Sequence, residues 1–328
     1  MNKRFLIIFS AIIIMLLSAC NNNEVPQKKA ETGTDNEKLS VYTTVYPLQY
    51  FTERIGGDQV NVKSIYPAGS DEHTFDPTQK DMMALADSDL FFYVGLGLEG
   101  FVDNAKKTLK NEHVKMVATA EDIPEEMLDE GHDEHEGHDS EEGHEGHEGH
   151  NHGSLDPHVW ISPVLSGELA TSIKDALIEA KPEMKDEFEK NFKQLLVEID
   201  ELDGKFQEMA ANAPSKIFFV SHASFGYIAN AYGLEQVAIA GLNTQSEPSQ
   251  KQLAIIVKEA KEQDVHYVLF EQNVSSKLTE VVRKEIGAES LMLHNLGVLT
   301  VEDVKNNETY FSLMDRNIET LKKALSGK

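Results

Sequence analysis

The stretch KIFFVSHASFGYIANAYGLEQVAIA, residues 216–240, decides the fold. Lys216–Val220 is apolar, aromatic and β-branched, the composition of a buried strand. Phe225–Tyr232 has helical spacing and stops at Gly233, and Gln236–Ala240 is extended again. Strand, helix and strand in so short a span form the unit from which parallel sheets are built. Downstream, the alternation continues through helices at Ser249–Gln263 and Ser276–Ile286, a strand at Val265–Phe270 and a short one at Leu291–Leu293, with Val304–Leu325 as a terminal helix.

Upstream, Lys185–Ala211 contains no proline. Its apolar residues Phe188, Phe192, Leu195, Leu196, Ile199, Leu202, Phe206 and Met209 recur at spacings of three and four. That is one amphipathic helix of roughly 40 Å at about 1.5 Å per residue. Before it, Ser162-Pro163 opens a helix that runs to about Ala180. Earlier still, Leu39–Val45, Val60–Tyr66, Leu90–Val94 and Val114–Ala118 read as strands and Leu98–Leu109 as helix. Thr78–Ala86 reads as a further helix, with Asp76 as its N-cap and Pro77 in its first position. The expectation is an α/β protein of two lobes, each a mostly parallel sheet flanked by helices, joined by a long rigid connecting helix. The boundaries fall at residues 39–182, 183–212 and 213–328.

The first 38 residues lie outside this pattern. Lys3 and Arg4 precede an apolar run, Phe5–Leu17, too short for a comfortable membrane span. Leu17-Ser18-Ala19-Cys20 resembles a bacterial lipoprotein cleavage box, so residues 1–19 read as a signal peptide and Cys20 as the lipidated first residue of the mature chain. The alternative is an ordinary secretory signal with an incidental cysteine. Residues 20–38 are polar and free of aromatics, as a flexible tether would be. The protein is expected outside the cytoplasm, lipid-anchored to the outer face of the cell membrane. Cys20 is the only cysteine, which leaves the mature chain without disulfides or thiolate metal ligands.

The formal net charge is −26 over 328 residues. Much of it is local, because residues 121–150 carry acids and no bases. No basic stripe exists to neutralise a phosphate backbone, so nucleic acid is not a partner. Inside the acidic stretch, residues 121–153 form a loop rich in Glu-Gly-His. It holds seven histidines: His132, His135, His138, His144, His147, His150 and His152. Imidazole and carboxylate together concentrate divalent transition metals, and such a composition cannot bury a core. The tract reads as an accessory metal collector.

Six histidines remain. His73 follows the strand at Val60–Tyr66, His158 precedes the Ser162-Pro163 helix, and His222 closes the strand at Lys216–Val220. Glu271 follows Val265–Phe270. Loops at the carboxyl ends of strands are where α/β sheets bind ligands, and three imidazoles with one carboxylate suit tetrahedral Zn2+. Asp76 and Asp156 read as caps or hydrogen-bond acceptors, and Glu72 as a partner of His73 or an oxygen donor. His113, His266 and His294 lack the shared context and are left out.

At these residues the chain resembles the metal-binding solute-binding lipoproteins of bacterial ABC transporters, in their zinc-uptake (ZnuA-type) branch. The resemblance spans about Leu39 to Leu325. It rests on Thr43-Thr44-Val45-Tyr46-Pro47, Glu72-His73-Thr74-Phe75-Asp76-Pro77-Thr78, Asp156-Pro157-His158-Val159-Trp160-Ile161-Ser162-Pro163, Ser221-His222-Ala223-Ser224-Phe225-Gly226-Tyr227, Ser246-Glu247-Pro248-Ser249 and Phe270-Glu271-Gln272-Asn273-Val274-Ser275-Ser276, in this order. It implies Zn2+ as the transported ligand, bound between the lobes by His73, His158, His222 and Glu271. It also implies a monomer that delivers the ion to an ABC permease and catalyses no reaction. The manganese-selective relatives replace one histidine by a carboxylate, whereas His222 keeps nitrogen here. The competing readings are a manganese or other divalent-metal protein or adhesin, and a zinc hydrolase. The hydrolase needs an open metal position, and no His-Glu-x-x-His helix is present.

Overall fold

The computed structural model describes residues 38–129, 155–274 and 276–327. The signal peptide, Cys20, the tether up to residue 37 and all seven tract histidines lie outside the described residues. Two four-stranded sheets organise the rest. In the first, β1 (Leu39–Thr43), β2 (Val60–Ser64), β3 (Leu90–Tyr93) and β4 (Lys115–Ala118) stand in the order β2-β1-β3-β4. The second sheet repeats that order: β5 (Ile217–His222), β6 (Glu235–Ala240), β7 (Tyr267–Phe270) and β8 (Glu289–Met292) stand as β6-β5-β7-β8. Every pairing is parallel. In each sheet the chain reverses its direction of strand addition beside the first strand, so a ligand crevice is expected between β1 and β3 and between β5 and β7.

The helices are α1 (Tyr46–Gly56), α2 (Gln79–Ala86), α3 (Val102–Thr108), α4 (Pro163–Ala180), α5 (Lys185–Asn212), α6 (Gly226–Tyr232), α7 (Gln250–Glu262), α8 (Lys277–Ile286), α9 (Val301–Asn306) and α10 (Tyr310–Ala324). Helix α5 is the long connector, 28 residues, with Phe188, Leu195, Ile199, Leu202, Phe206 and Met209 buried. Phe192 and Leu196 lie half-buried at the edge of the same stripe. A single hydrophobic core runs from β1 and β3 through α1, α4 and α5 to α6 and α10, and only the outer face of the second sheet keeps a separate apolar cluster around Phe219 and Val268. The lobes therefore share packing as well as a connector.

Four local readings are corrected. The strand read as Leu39–Val45 ends at Thr43, and Tyr46-Pro47 opens α1, a helix absent from the sequence reading, because proline suits the first turn of a helix. The cap of α2 is Thr78 and not Asp76. Thr78 and Asp81 form a reciprocal capping box, while Asp76 stays exposed upstream. The helix read from Leu98 begins only at Val102, after a turn in which Gly95, Leu96 and Gly97 all take positive φ. The terminal helix is two helices. Asn307 ends α9 in the left-handed region at φ 54, and Thr309 caps a new start.

Asp303 of α9 accepts from the Thr300 backbone N–H at 2.9 Å and from His294 Nε2 at 3.2 Å. The His294 hydrogen bond, against the opposing effect of burial and with help from Thr300, holds its carboxyl well below the usual carboxylate range. A depressed pKa contributes stability above the unfolded-state pKa and loses it as pH falls. Asp303→Asn is therefore expected to destabilise most at neutral pH, with the gap from the parent narrowing below about pH 5 in urea unfolding. A gap that stays constant with pH would show the pair to be electrostatically silent.

Candidate metal centre

Three histidines from three elements converge. His73 lies in the loop after β2, where Asp71 Oδ1 accepts its backbone N–H at 2.9 Å. Thr244 Oγ1, from the second lobe, donates to the other oxygen of Asp71 at 3.0 Å. His158 opens the short turn Val159–Ile161 ahead of α4, and His222 is the last residue of β5. One nitrogen from each of the three lies within 4.8 Å of the others, the one such group of metal-capable side chains among the described residues. Ring centroids are 4.9–5.2 Å apart, and the Nε2 atoms of His73 and His158 stand 3.2 Å apart. His158 and His222 are fully buried, and His73 is the half-buried member facing outward.

The partners set what each ring can do. Asp156 Oδ1 sits 2.7 Å from His158 Nδ1 and also accepts the His158 backbone N–H at 2.9 Å. Nδ1 therefore carries the proton, and Nε2 offers a lone pair to the centre. Tyr227 Oη donates to the Asp156 carbonyl at 2.7 Å, so α6 pins the turn that carries His158. His222 has acceptors on both sides: Glu271 Oε2 is 2.8 Å from Nδ1, and the Leu242 carbonyl is 3.1 Å from Nε2. Neither partner donates, so His222 is an imidazolium in this arrangement. Burial alone would lower its pKa, but the charge and hydrogen bond of Glu271 outweigh burial and hold it up at about 9. His73 is driven the other way, to about 2, by burial first and then by the neighbouring His158 and His222. It keeps a free lone pair at any physiological pH.

Glu271 does not stand in the cluster with the three nitrogens. It lies behind His222, accepting from Ser221 Oγ and Ser224 Oγ at 2.9 Å each and from Asn295 Nδ2 at 3.1 Å. Burial would raise its pKa, but His222 and the two serine hydroxyls hold it below the usual range. Glu72 is buried beside His73. Desolvation, partly offset by its own backbone N–H, lifts its carboxyl to about 7. Asp156 is the acceptor expected of it, and Asp76 is exposed.

The omitted histidines are elsewhere. His294 accepts the Leu296 N–H at Nδ1 and reaches Asp303 through Nε2, which leaves no lone pair for an ion. His113 and His266 pair with Asp89 and Asp264 at the surface. Sequence reasoning missed Asn295 and Trp160. Trp160 packs its ring 5.3 Å from His158 and donates from Nε1 to the Asn295 carbonyl at 2.7 Å. The rule that found His222 and Glu271 applies equally to Asn295, just past β8, but a side-chain amide is not a metal-ligand type and drew no notice.

Known proteins resemble this chain over most of its length. The family described as "Zinc-uptake complex component A periplasmic" matches residues 41–324. The zinc-binding lipoprotein AdcA of Streptococcus pneumoniae is 36% identical over 323 residues, 98% of this chain but 60% of that protein. The chain thus spans less than two thirds of the length of that relative. The high-affinity zinc uptake system protein ZnuA of Bacillus subtilis is 35% identical over 315 residues, 96% of this chain and 95% of that one. Among solved structures, the Zn(II)-bound ZnuA-like domain of Streptococcus pneumoniae AdcA superposes with a TM-score of 0.71 at 34% identity. The superposition covers 88% of this chain and 99% of that one.

Proposed function

This chain belongs to the family of the periplasmic component A of zinc-uptake complexes, and from that premise we propose that it captures Zn2+ outside the cytoplasm and delivers it to an ABC permease. It is a binding component of transport and not an enzyme. The observation that carries the reading is the group of three imidazole nitrogens within 4.8 Å, two of the rings fully buried. Nitrogen donors in this number suit Zn2+. His73, His158 and His222 are the ligands, and Glu271 supplies the fourth donor by turning from His222 toward the ion. Loading must also release His222 Nε2 from the Leu242 carbonyl, because an imidazolium has no lone pair to give. The chain acts as a monomer, tethered to the outer face of the membrane through lipid on Cys20. The tract histidines at residues 132–152 collect metal in weaker, exchangeable sites.

Calorimetric titration of metal-stripped full-length protein tests the reading. One tight Zn2+ per chain is expected, above a set of weaker sites. Several equal weak sites with no tight one would point instead to a metal store or an adhesin.

A further inference from the structure

A single amide lies between the two buried carboxylates beside the histidines. Asn295, 1% exposed, directs Nδ2 to Glu72 Oε1 at 3.0 Å and to Glu271 Oε2 at 3.1 Å. Its Oδ1 accepts from the Gly297 N–H at 2.9 Å and from Gln272 Nε2 at 2.5 Å. A backbone N–H can only donate, so the amide cannot be flipped, and both its protons face carboxylates. The backbone of the same residue accepts from Trp160 beside His158 and donates to Gln272 at 3.0 Å. The segments that carry His73, His158 and Glu271 all meet at Asn295. Gly297 closes the other side, since a Cβ there would collide with the Glu72 carboxylate.

We propose that Asn295 is a positioning residue that limits carboxylate oxygen at the metal centre: its amide bonds one oxygen of each carboxylate, and with Gly297 packed on the far side of Glu72 it holds that group aside, so that Glu271 is the carboxylate that adds an oxygen to three imidazoles. The proposal rests on the zinc-capture reading. Three nitrogens and one oxygen make a four-coordinate set suited to Zn2+, whereas a second carboxylate makes the site harder and of higher coordination, toward Mn2+. Glu72 adjoins His73 in the chain and shares the Asn295 amide with Glu271. The bond from Asn295 and the wall at Gly297 are what hold it back.

The test is competitive titration of Zn2+ and Mn2+ on full-length Asn295→Leu, which keeps side-chain volume but removes both donors. The ratio of Zn2+ to Mn2+ affinity is expected to fall by at least about tenfold, the scale of outer-partner effects at metal sites. The visible bands of bound Co2+ should weaken as tetrahedral coordination gives way to five-coordinate. Adding Glu72→Ala to Asn295→Leu should restore the ratio, because the freed carboxylate is then gone. Equal losses for both metals with an unchanged Co2+ spectrum would mean that Asn295 only supports the fold, and failure of the double variant to restore selectivity overturns the proposal. Should Asn295→Leu not fold, Gln272→Met removes the bond that aims the amide and should shift the ratio the same way by less; no shift overturns the proposal. The parent separates the two ideas. Absence of a tight Zn2+ site in the parent defeats the zinc-capture reading, whereas tight parental binding with an unaltered ratio in the variants defeats only this one.

Discussion

His158→Ala is expected to lower Zn2+ affinity by more than about a hundredfold, the upper range for losing a mere outer partner of a metal ligand. The imidazole is fully buried, and Asp156 at 2.7 Å has already fixed its tautomer so that Nε2 faces His73. The flanking Trp160 is committed to Asn295. Asp156→Asn keeps the ring but loses the charge that orients it, and is expected to cost about 10–100-fold. The same two variants should shrink the rise in unfolding temperature that Zn2+ gives the parent, because a ligand stabilises only in proportion to its affinity for the folded state. Deleting residues 131–152 should leave the tight site intact and remove only the weak ones. If that deletion abolished tight binding while His158→Ala preserved it, the roles assigned to the buried cluster and to the tract would be reversed.

The fold was legible wherever one signal acted alone. The stripe from Phe188 to Met209 and the buried run Leu90–Val94 each have a single periodicity, and each became the expected element. Boundaries failed where two chemistries competed within a few residues. Asp76 and Thr78 both suit an N-cap, and only the placement of Asp81 decides for Thr78. At Asn307 helical periodicity runs on, but the backbone turns left-handed and ends the helix. The histidines were legible because the strand-end rule and a metal-binding residue type coincide at His73 and His222. What that rule could not supply was second partners. That Glu271 lies behind His222 depends on a contact across 49 residues of chain, and that Asn295 joins the carboxylates of two lobes depends on contacts across 24 and 223. No local pattern encodes such contacts.

Tyr310→Ala is expected to cost about 3–5 kcal/mol of stability, the range for a large aromatic removed from a core, while changing Zn2+ affinity by no more than about twofold, the residual coupling of distant sites. Tyr310 is fully buried at the start of α10. Its ring meets Phe51 of α1 edge-on at 4.9 Å, and its hydroxyl lies 3.1 Å from Ser166 Oγ of α4. Phe51 belongs to the helix that packs β1 and β2, and Ser166 to a helix packed on that one, so this one side chain fastens the end of the second lobe to the first. Around it, Tyr46 Oη reaches the Glu308 carbonyl at 3.0 Å and Lys205 of α5 pairs with Asp315 at 2.6 Å. Tyr310→Phe keeps the ring contacts and should cost only about 1 kcal/mol, the net value of one hydrogen bond. Urea unfolding at equilibrium checks both. With one core shared by the lobes, the parent should unfold in a single transition and Tyr310→Ala in a single transition at lower urea. Two separated transitions in the parent would mean that each lobe folds independently and can swing about α5. A single transition would mean that the frame does not open by hinging, and release of the ion is then expected to take a local movement. His73 is the half-buried imidazole of the three, on a loop that Thr244 holds through Asp71, and that loop is the element proposed to move.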